Sequence, residues 1–163
     1  MEAEMPSGRE KGFTLIELMM VLVLLAIVAF IAVPSFVGLI RDNQVQAQAE
    51  EFNSMLQYAR SESVIRRRAV NVDINAGTGL VDVIASGETL RSTTLNTNGI
   101  AITSTHPLLS FRPNGTSTIN AYRAVFCRDG LAEKAFVVTV VGSGRATMHP
   151  RGRDEFGNAL GGC

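Results

Sequence analysis

Hydrophobic and polar positions divide the chain into three stretches of different period. From Leu18 to Ile40 there are 23 residues without a formal charge, and the apolar run begins upstream of them at Phe13-Thr14-Leu15-Ile16-Glu17. About 20 helical residues cross a hydrocarbon core of about 30 Å, so the 28 residues Phe13 to Ile40 predict a spanning helix. After Arg41 the pattern becomes amphipathic. Val45, Ala49, Phe52, Leu56 and Ala59 recur at steps of four and three, which places them on one helix face. Polar residues such as Gln44, Gln48, Glu51 and Gln57 fill the intervals. The two patterns join into one long helix from about Thr14 to about Arg67, bent near Pro34 and Gly38.

From Ala69 the period changes to two. Ala69 to Ile74 alternates, as does Leu80 to Ile84 less cleanly, and Asn75-Ala76-Gly77-Thr78-Gly79 between them reads as a hairpin turn. Leu108–Phe111, Ala121–Cys127 and Ala135–Val141 read as further strands, and Arg145 to His149 as a last edge strand ended by Pro150. The polar, Thr-rich stretch Ser92 to Thr105 reads as a surface loop with a short strand at Ile100–Ile102. The fold class is α+β: a long N-terminal α-helix, its first half transmembrane and its second half amphipathic, packed on a β-rich head.

Composition excludes several function classes. The chain has 15 basic and 15 acidic residues in 163, so it is neither a basic nucleic-acid coat nor an acidic disordered chain. Its two cysteines are too few for a disulfide-rich mini-protein or a four-cysteine zinc site. His106 and His149 are the only histidines, no Gly-x-Ser-x-Gly elbow is present, and Gly142-Ser143-Gly144 is too short for a nucleotide loop. A metal site on His149 lacks a third ligand at sensible spacing. No catalytic residue, cofactor or metal is expected. Asn114-Gly115-Thr116 matches a glycosylation sequon, but its residues are already explained as a turn.

The residue that hydropathy does not explain is Glu17. A cleaved secretory signal has a shorter apolar core and a small-x-small site at its far end, and this run has neither. A plain membrane anchor gives no reason for a carboxylate near the start of its helix, where it is costly and marks a functional site. If the chain were cut after Gly12, a new α-amino group would appear on Phe13, four residues before Glu17. An ammonium and a carboxylate pair strongly in low dielectric, within one helix or between packed helices.

Lys11-Gly12-Phe13-Thr14-Leu15-Ile16-Glu17 resembles the processing motif of type IV prepilins and type II secretion pseudopilins. The resemblance implies that a prepilin peptidase cuts after Gly12 and N-methylates Phe13. It makes Glu17 the assembly carboxylate and Pro34 the helix-kinking residue. It divides the chain into a cleaved leader over residues 1–12, a transmembrane and filament-core helix over 13–40, and a periplasmic head over 41–163. Phe52 to Glu62 and Leu109 to Thr116 are similar to the H-type pseudopilins and the FimT/FimU-type minor pilins. The implied partners are the peptidase, other minor pilins or pseudopilins, the major pilin, and inner-membrane lipid before assembly. The implied role is to help initiate a type IV pilus or a type II secretion pseudopilus.

A periplasmic head meets an oxidising compartment, so Cys127 and Cys163 are expected to pair, as the C-terminal cysteines of many pilus subunits do. Certain FimT-like minor pilins bind DNA through a C-terminal Gly-Arg-x-Arg motif. Here Gly144-Arg145-Ala146-Thr147 lacks the second arginine, and Arg151-Gly152-Arg153 is followed at once by Asp154-Glu155. Arg145, Arg151 and Arg153 are therefore the candidate DNA contacts of the alternative reading, DNA uptake. Arg66-Arg67-Arg68 closes the long helix, where cations suit the macrodipole, and an ion pair between subunits is the functional alternative.

Overall fold

The computed structural model describes residues 12–163; residues 1–11 of the expected leader lie outside the described residues. Among the described residues one helix, α1 (Leu15–Arg66), precedes eight strands. These are β1 (Val70–Asn75), β2 (Leu80–Ala85), β3 (Glu88–Thr94), β4 (Ile100–Ser104), β5 (Leu108–Phe111), β6 (Ala121–Arg128), β7 (Phe136–Val141) and β8 (Ala146–Met148). A single 3-10 turn, Ala132–Lys134, interrupts the connection from β6 to β7. The chain forms two compact units that divide between Ile40 and Arg41.

The first unit is the apolar part of α1. None of its described side chains is buried. A helix that is hydrophobic all round needs apolar surroundings, either lipid or other helices. The helix continues through Pro34, although proline has no N–H to offer the carbonyl one turn back.

The second unit is built around the remaining turns of α1. Val45, Ala49, Phe52, Leu56 and Ala59, the face read from the heptad-like spacing, are all fully buried, and Met55 and Ser63 join them. Two antiparallel sheets supply the other side of this core. The first has strand order β3-β2-β1-β5 and the second β4-β6-β7-β8. In β1, Val70, Val72 and Ile74 point into the core while Asp73 and Asn75 face outward, as a half-buried strand requires. Phe52 lies 5.6 Å from the Phe126 ring and 6.4 Å from the Tyr122 ring, so it joins α1 to β6. Burial pushes the Tyr122 phenol well above its ordinary pKa, with the Ser104 side chain partly offsetting this.

The stretch from Ser92 to Thr105, expected as a surface loop with a short strand at Ile100–Ile102, contains the end of β3 as well as β4, which includes that strand. β3 was illegible because it is an edge strand with almost every side chain exposed, so burial imposes no alternation on it. Its local signal lies in the turn before it. Ser86 and Gly87 have φ of 52° and 84°, the paired left-handed conformation of a tight two-residue hairpin. β6 and β7 depart from simple alternation for the opposite reason: both of their faces are covered. Tyr122, Ala124, Phe126, Val138 and Val140 face α1, whereas Val125, Cys127 and Val137 belong to a second small core with Ala135 and Leu160.

One side chain ties the two sheets to the helix. Arg60 Nε donates to the Gly115 carbonyl at 3.1 Å, and Arg60 Nη2 donates to the Ser143 carbonyl at 3.2 Å. Gly115 follows β5, and Ser143 lies between β7 and β8, so the guanidinium spans turns from both sheets. The turns meet so closely that a Cβ on Gly144 would overlap the Gly115 carbonyl oxygen, and Gly144 also has φ of 79°. Gly87 shares the positive φ but has nothing within 4 Å of its missing Cβ. The Gly87→Ala variant is expected to cost about 1–2 kcal/mol, the left-handed penalty alone. The Gly144→Ala variant should cost clearly more than Gly87→Ala, because backbone atoms must also move. Urea unfolding of both variants measures the difference, and equal losses would contradict this packing.

Candidate functional site

The N-terminal motif folds as a helix start. Thr14 is the residue before α1: its hydroxyl accepts the Glu17 N–H at 3.3 Å, and its carbonyl accepts the Leu18 N–H at 3.1 Å. Thr-x-x-Glu is the sequence pattern of a capping box, which sets the helix register. Gly12 and Phe13 therefore stand just outside the helix, on accessible backbone. A Cβ on Gly12 would meet nothing within 4 Å. The folded chain has no steric need for glycine there, so a requirement for it would come from a protein that docks on this segment. Glu17 is exposed on the first turn, among exposed apolar side chains such as Ile16, Met19 and Met20. Among the described residues no cation forms an ion pair with it.

The cysteines meet at the opposite end of the sequence. Cys127 and Cys163 are bonded, with Cα atoms 5.8 Å apart, inside the usual disulfide range. The bond ends a strap that runs from β8 across the outer face of the second sheet. Leu160 packs there with Val125, Ala135 and Val137, and the Gly152 N–H donates to the Ala135 carbonyl at 2.8 Å. Arg123 on β6 lies 3.8 Å from Glu155. Asp154 folds the strap into a tight turn by accepting the backbone N–H groups of Phe156 and Asn158 at 2.9 and 2.8 Å. Burial opposes its charge, but these bonds hold the Asp154 carboxyl below its ordinary range.

The three candidate DNA arginines have separate surroundings. Arg151 lies 3.5 Å from Asp42 at the start of the head and packs over the Phe136 ring. Lys134 Nζ approaches the same carboxylate at 3.4 Å, so Asp42 joins α1, the 3-10 turn and the strap. Arg153 Nη1 donates to the Gly157 carbonyl at 3.1 Å. Arg145 is exposed on the turn that Gly144 forms against Gly115. His149 Nε2 shares a 2.8 Å hydrogen bond with Thr139 Oγ1, and no cluster of three metal-ligating side chains occurs among the described residues. Sequence reasoning passed over Arg60 and Asp42. Each looks like one more polar helix position, and only the turns and strap that reach them give them a task.

A family model described as Type II transport protein GspH matches residues 48–144. A second, described as a prokaryotic N-terminal methylation motif, matches residues 7–33. The type IV minor pilin FimU of Pseudomonas aeruginosa is similar in structure, with a TM-score of 0.63 and 27% identity over 74% of this chain and 96% of that one. The minor pseudopilin EpsH of the Vibrio cholerae type 2 secretion system shares the fold. Its TM-score is 0.53 at 16% identity, over 65% of this chain and 96% of that one. No curated protein matches the chain.

The longer family match ends at residue 144, so the strap lies beyond it. Opening the disulfide by the Cys163→Ser change frees a loop of about 35 residues and should cost up to about 4 kcal/mol. The Leu160→Ala variant, with the disulfide intact, should cost about 2–3 kcal/mol through lost burial. Denaturant midpoints measure both. Losses below about 1 kcal/mol in both variants would mean that the sheet holds its outer face without the strap.

Proposed function

The chain belongs to the GspH family of type II transport proteins, and from that membership we propose that it primes filament assembly as a processed minor subunit. Its class, minor pilin or pseudopilin, is common to the family and to the FimU likeness. The further reading is specific. A prepilin peptidase removes residues 1–12, Phe13 becomes the methylated N-terminus, and the helix over 13–40 holds the chain in the inner membrane with its head in the periplasm. The subunit then enters a type IV pilus or a type II secretion pseudopilus, alongside other minor subunits and the major pilin.

The observation that carries this reading is Glu17. It is the one ionisable side chain between Phe13 and Ile40, and it sits exposed on the first turn of a helix whose other side chains need an apolar environment. Once Phe13 is a free amine, the carboxylate and the ammonium are the only opposite charges available in a packed bundle of such helices. Satisfying that carboxylate from a neighbour fixes how far one subunit slides along the next. Pro34 is the proposed bend, because the Phe30 carbonyl lacks its usual N–H partner there.

DNA uptake through Arg145, Arg151 and Arg153 has less support. The carboxylate of Asp42 lies beside Arg151, and Arg153 donates within its own turn.

The Gly12→Asp variant should remain at precursor size on an immunoblot, since the requirement for glycine is the peptidase's. The Glu17→Ala variant should be cut normally but enter sheared filaments at least about tenfold less. An ammonium left without its carboxylate in a low-dielectric bundle costs about 3–5 kcal/mol. Normal incorporation of Glu17→Ala would refute the registering role.

A further inference from the structure

The end of the head at which α1 stops carries an excess of positive charge that the fold uses only in part: Arg60 and Arg112 donate to backbone carbonyls and Arg66 pairs with Glu62. Arg60, Arg66, Arg67, Arg68, Arg112 and Arg145 gather there, against Glu62 and Glu88. Several independent contacts bring them together. Arg60 holds the Gly115 and Ser143 carbonyls, which sets Arg112 and Arg145 on turns beside the helix. Val70, two residues after Arg68, pairs with both Ala85 and Phe111. That register places the Ser86-Gly87 hairpin and Arg112 at the same end, and Arg68 Nη1 reaches Ser86 Oγ at 3.5 Å.

The helix terminus does not require these charges. The Arg68 N–H donates to the Ser63 carbonyl at 3.2 Å, and the Arg67 N–H donates to the Val64 carbonyl at 3.3 Å. This is the Schellman arrangement, which satisfies the last carbonyls through the backbone. Arg66 alone lies in the last turn, and it pairs with Glu62. Arg67 occupies the left-handed position of the motif, with φ of 51°, where glycine fits without strain. A long cation at that position carries a backbone cost with no return inside the head. Strain of this kind points to a role outside the fold.

The surroundings indicate what kind of partner. Ile65 is 73% exposed and Val64 49%, so two aliphatic side chains of the last turn of α1 are open to solvent at this end of the head. A nucleic-acid backbone offers nothing to cover them, whereas a protein surface with an apolar centre and a carboxylate rim covers them and matches the charge. Arg is also the side chain that binds carboxylates in a two-pronged geometry.

We infer that this end of the head is a docking surface for an acidic protein partner, with Val64 and Ile65 as its apolar centre and Arg67, Arg68, Arg112 and Arg145 as its charged rim. The inference is independent of processing and of Glu17, since every residue in it belongs to the head.

The test uses the full chain in detergent and three fluorescent probes: an amphipathic peptide of glutamate and leucine, its lysine-for-glutamate counterpart, and a short DNA duplex. The acidic peptide should bind at low salt and weaken as salt is raised. The paired change R67G/R68Q should weaken it about tenfold, the effect of removing two partly screened ion pairs. The melting temperature should stay level or rise, because glycine relieves the left-handed strain. The Ile65→Ser change should also weaken the acidic peptide. Failure of that peptide to bind above its lysine counterpart would overturn the inference. Tighter binding of the duplex, unaffected by Ile65→Ser, would overturn it in favour of a nucleic-acid surface. A fall in melting temperature in the R67G single variant would remove the strain argument on which it depends.

Discussion

Burial of one face of α1 between two sheets is the constraint on which the head depends. Phe52, Met55, Leu56 and Ala59 leave water only because β1 and β2 of one sheet and β6 and β7 of the other meet over them. Neither four-stranded antiparallel sheet has a second hydrophobic layer of its own large enough to replace the helix. The apolar face of α1 is thus the common partner that makes two sheets into one head. The polar faces follow from the same geometry. Asp73 and Asn75 on β1 point outward because their neighbours in sequence point in, at a period of two.

Packing of this kind fixes layers but leaves the ends of the sheets free to splay. Arg60 supplies the missing restraint. Its guanidinium presents donors in a fixed fork, which suits two backbone carbonyls from different turns. The close approach of Gly144 to Gly115 belongs to the same junction. The Gly144-Arg145 pair, which in a short motif suggests DNA contact, therefore has a structural reason for its glycine. Asp42 acts in a similar way at the other end of the head, where cations from the 3-10 turn and the strap meet one helix carboxylate.

The strap solves a problem that the second sheet creates. Val125 and Val137 face away from α1, and bare they would leave an apolar patch on the outside of the sheet. Leu160 and the Cys127–Cys163 bond cover it with a segment that has little regular structure of its own. This explains why the sequence there, rich in glycine and turn residues, carries so weak a pattern. Its order comes from the surface it covers and from the disulfide, not from any local preference.

Much of the architecture was legible in the residues because burial leaves a period. The 3.6-residue repeat named five of the helix positions that prove fully buried, the period-two stretches located β1 and β2, and apolar runs bounded by turn residues located β5, β6 and β7. The uncharged run and the carboxylate inside it marked the N-terminal segment by cost alone. Edge strand β3 was not legible, since Leu90 is its one apolar side chain against the core and its exposed polar side chains obey no alternation. The division of the strands into two sheets, the reach of Arg60 to two turns, the left-handed backbone at Arg67 and the gathering of arginines at the end of α1 were decided only in three dimensions. Hydrophobic burial acts on neighbours a few residues apart and so is written along the chain. Charge and hydrogen-bond partners come from segments tens of residues away, and their pairing exists only once the core has placed those segments side by side.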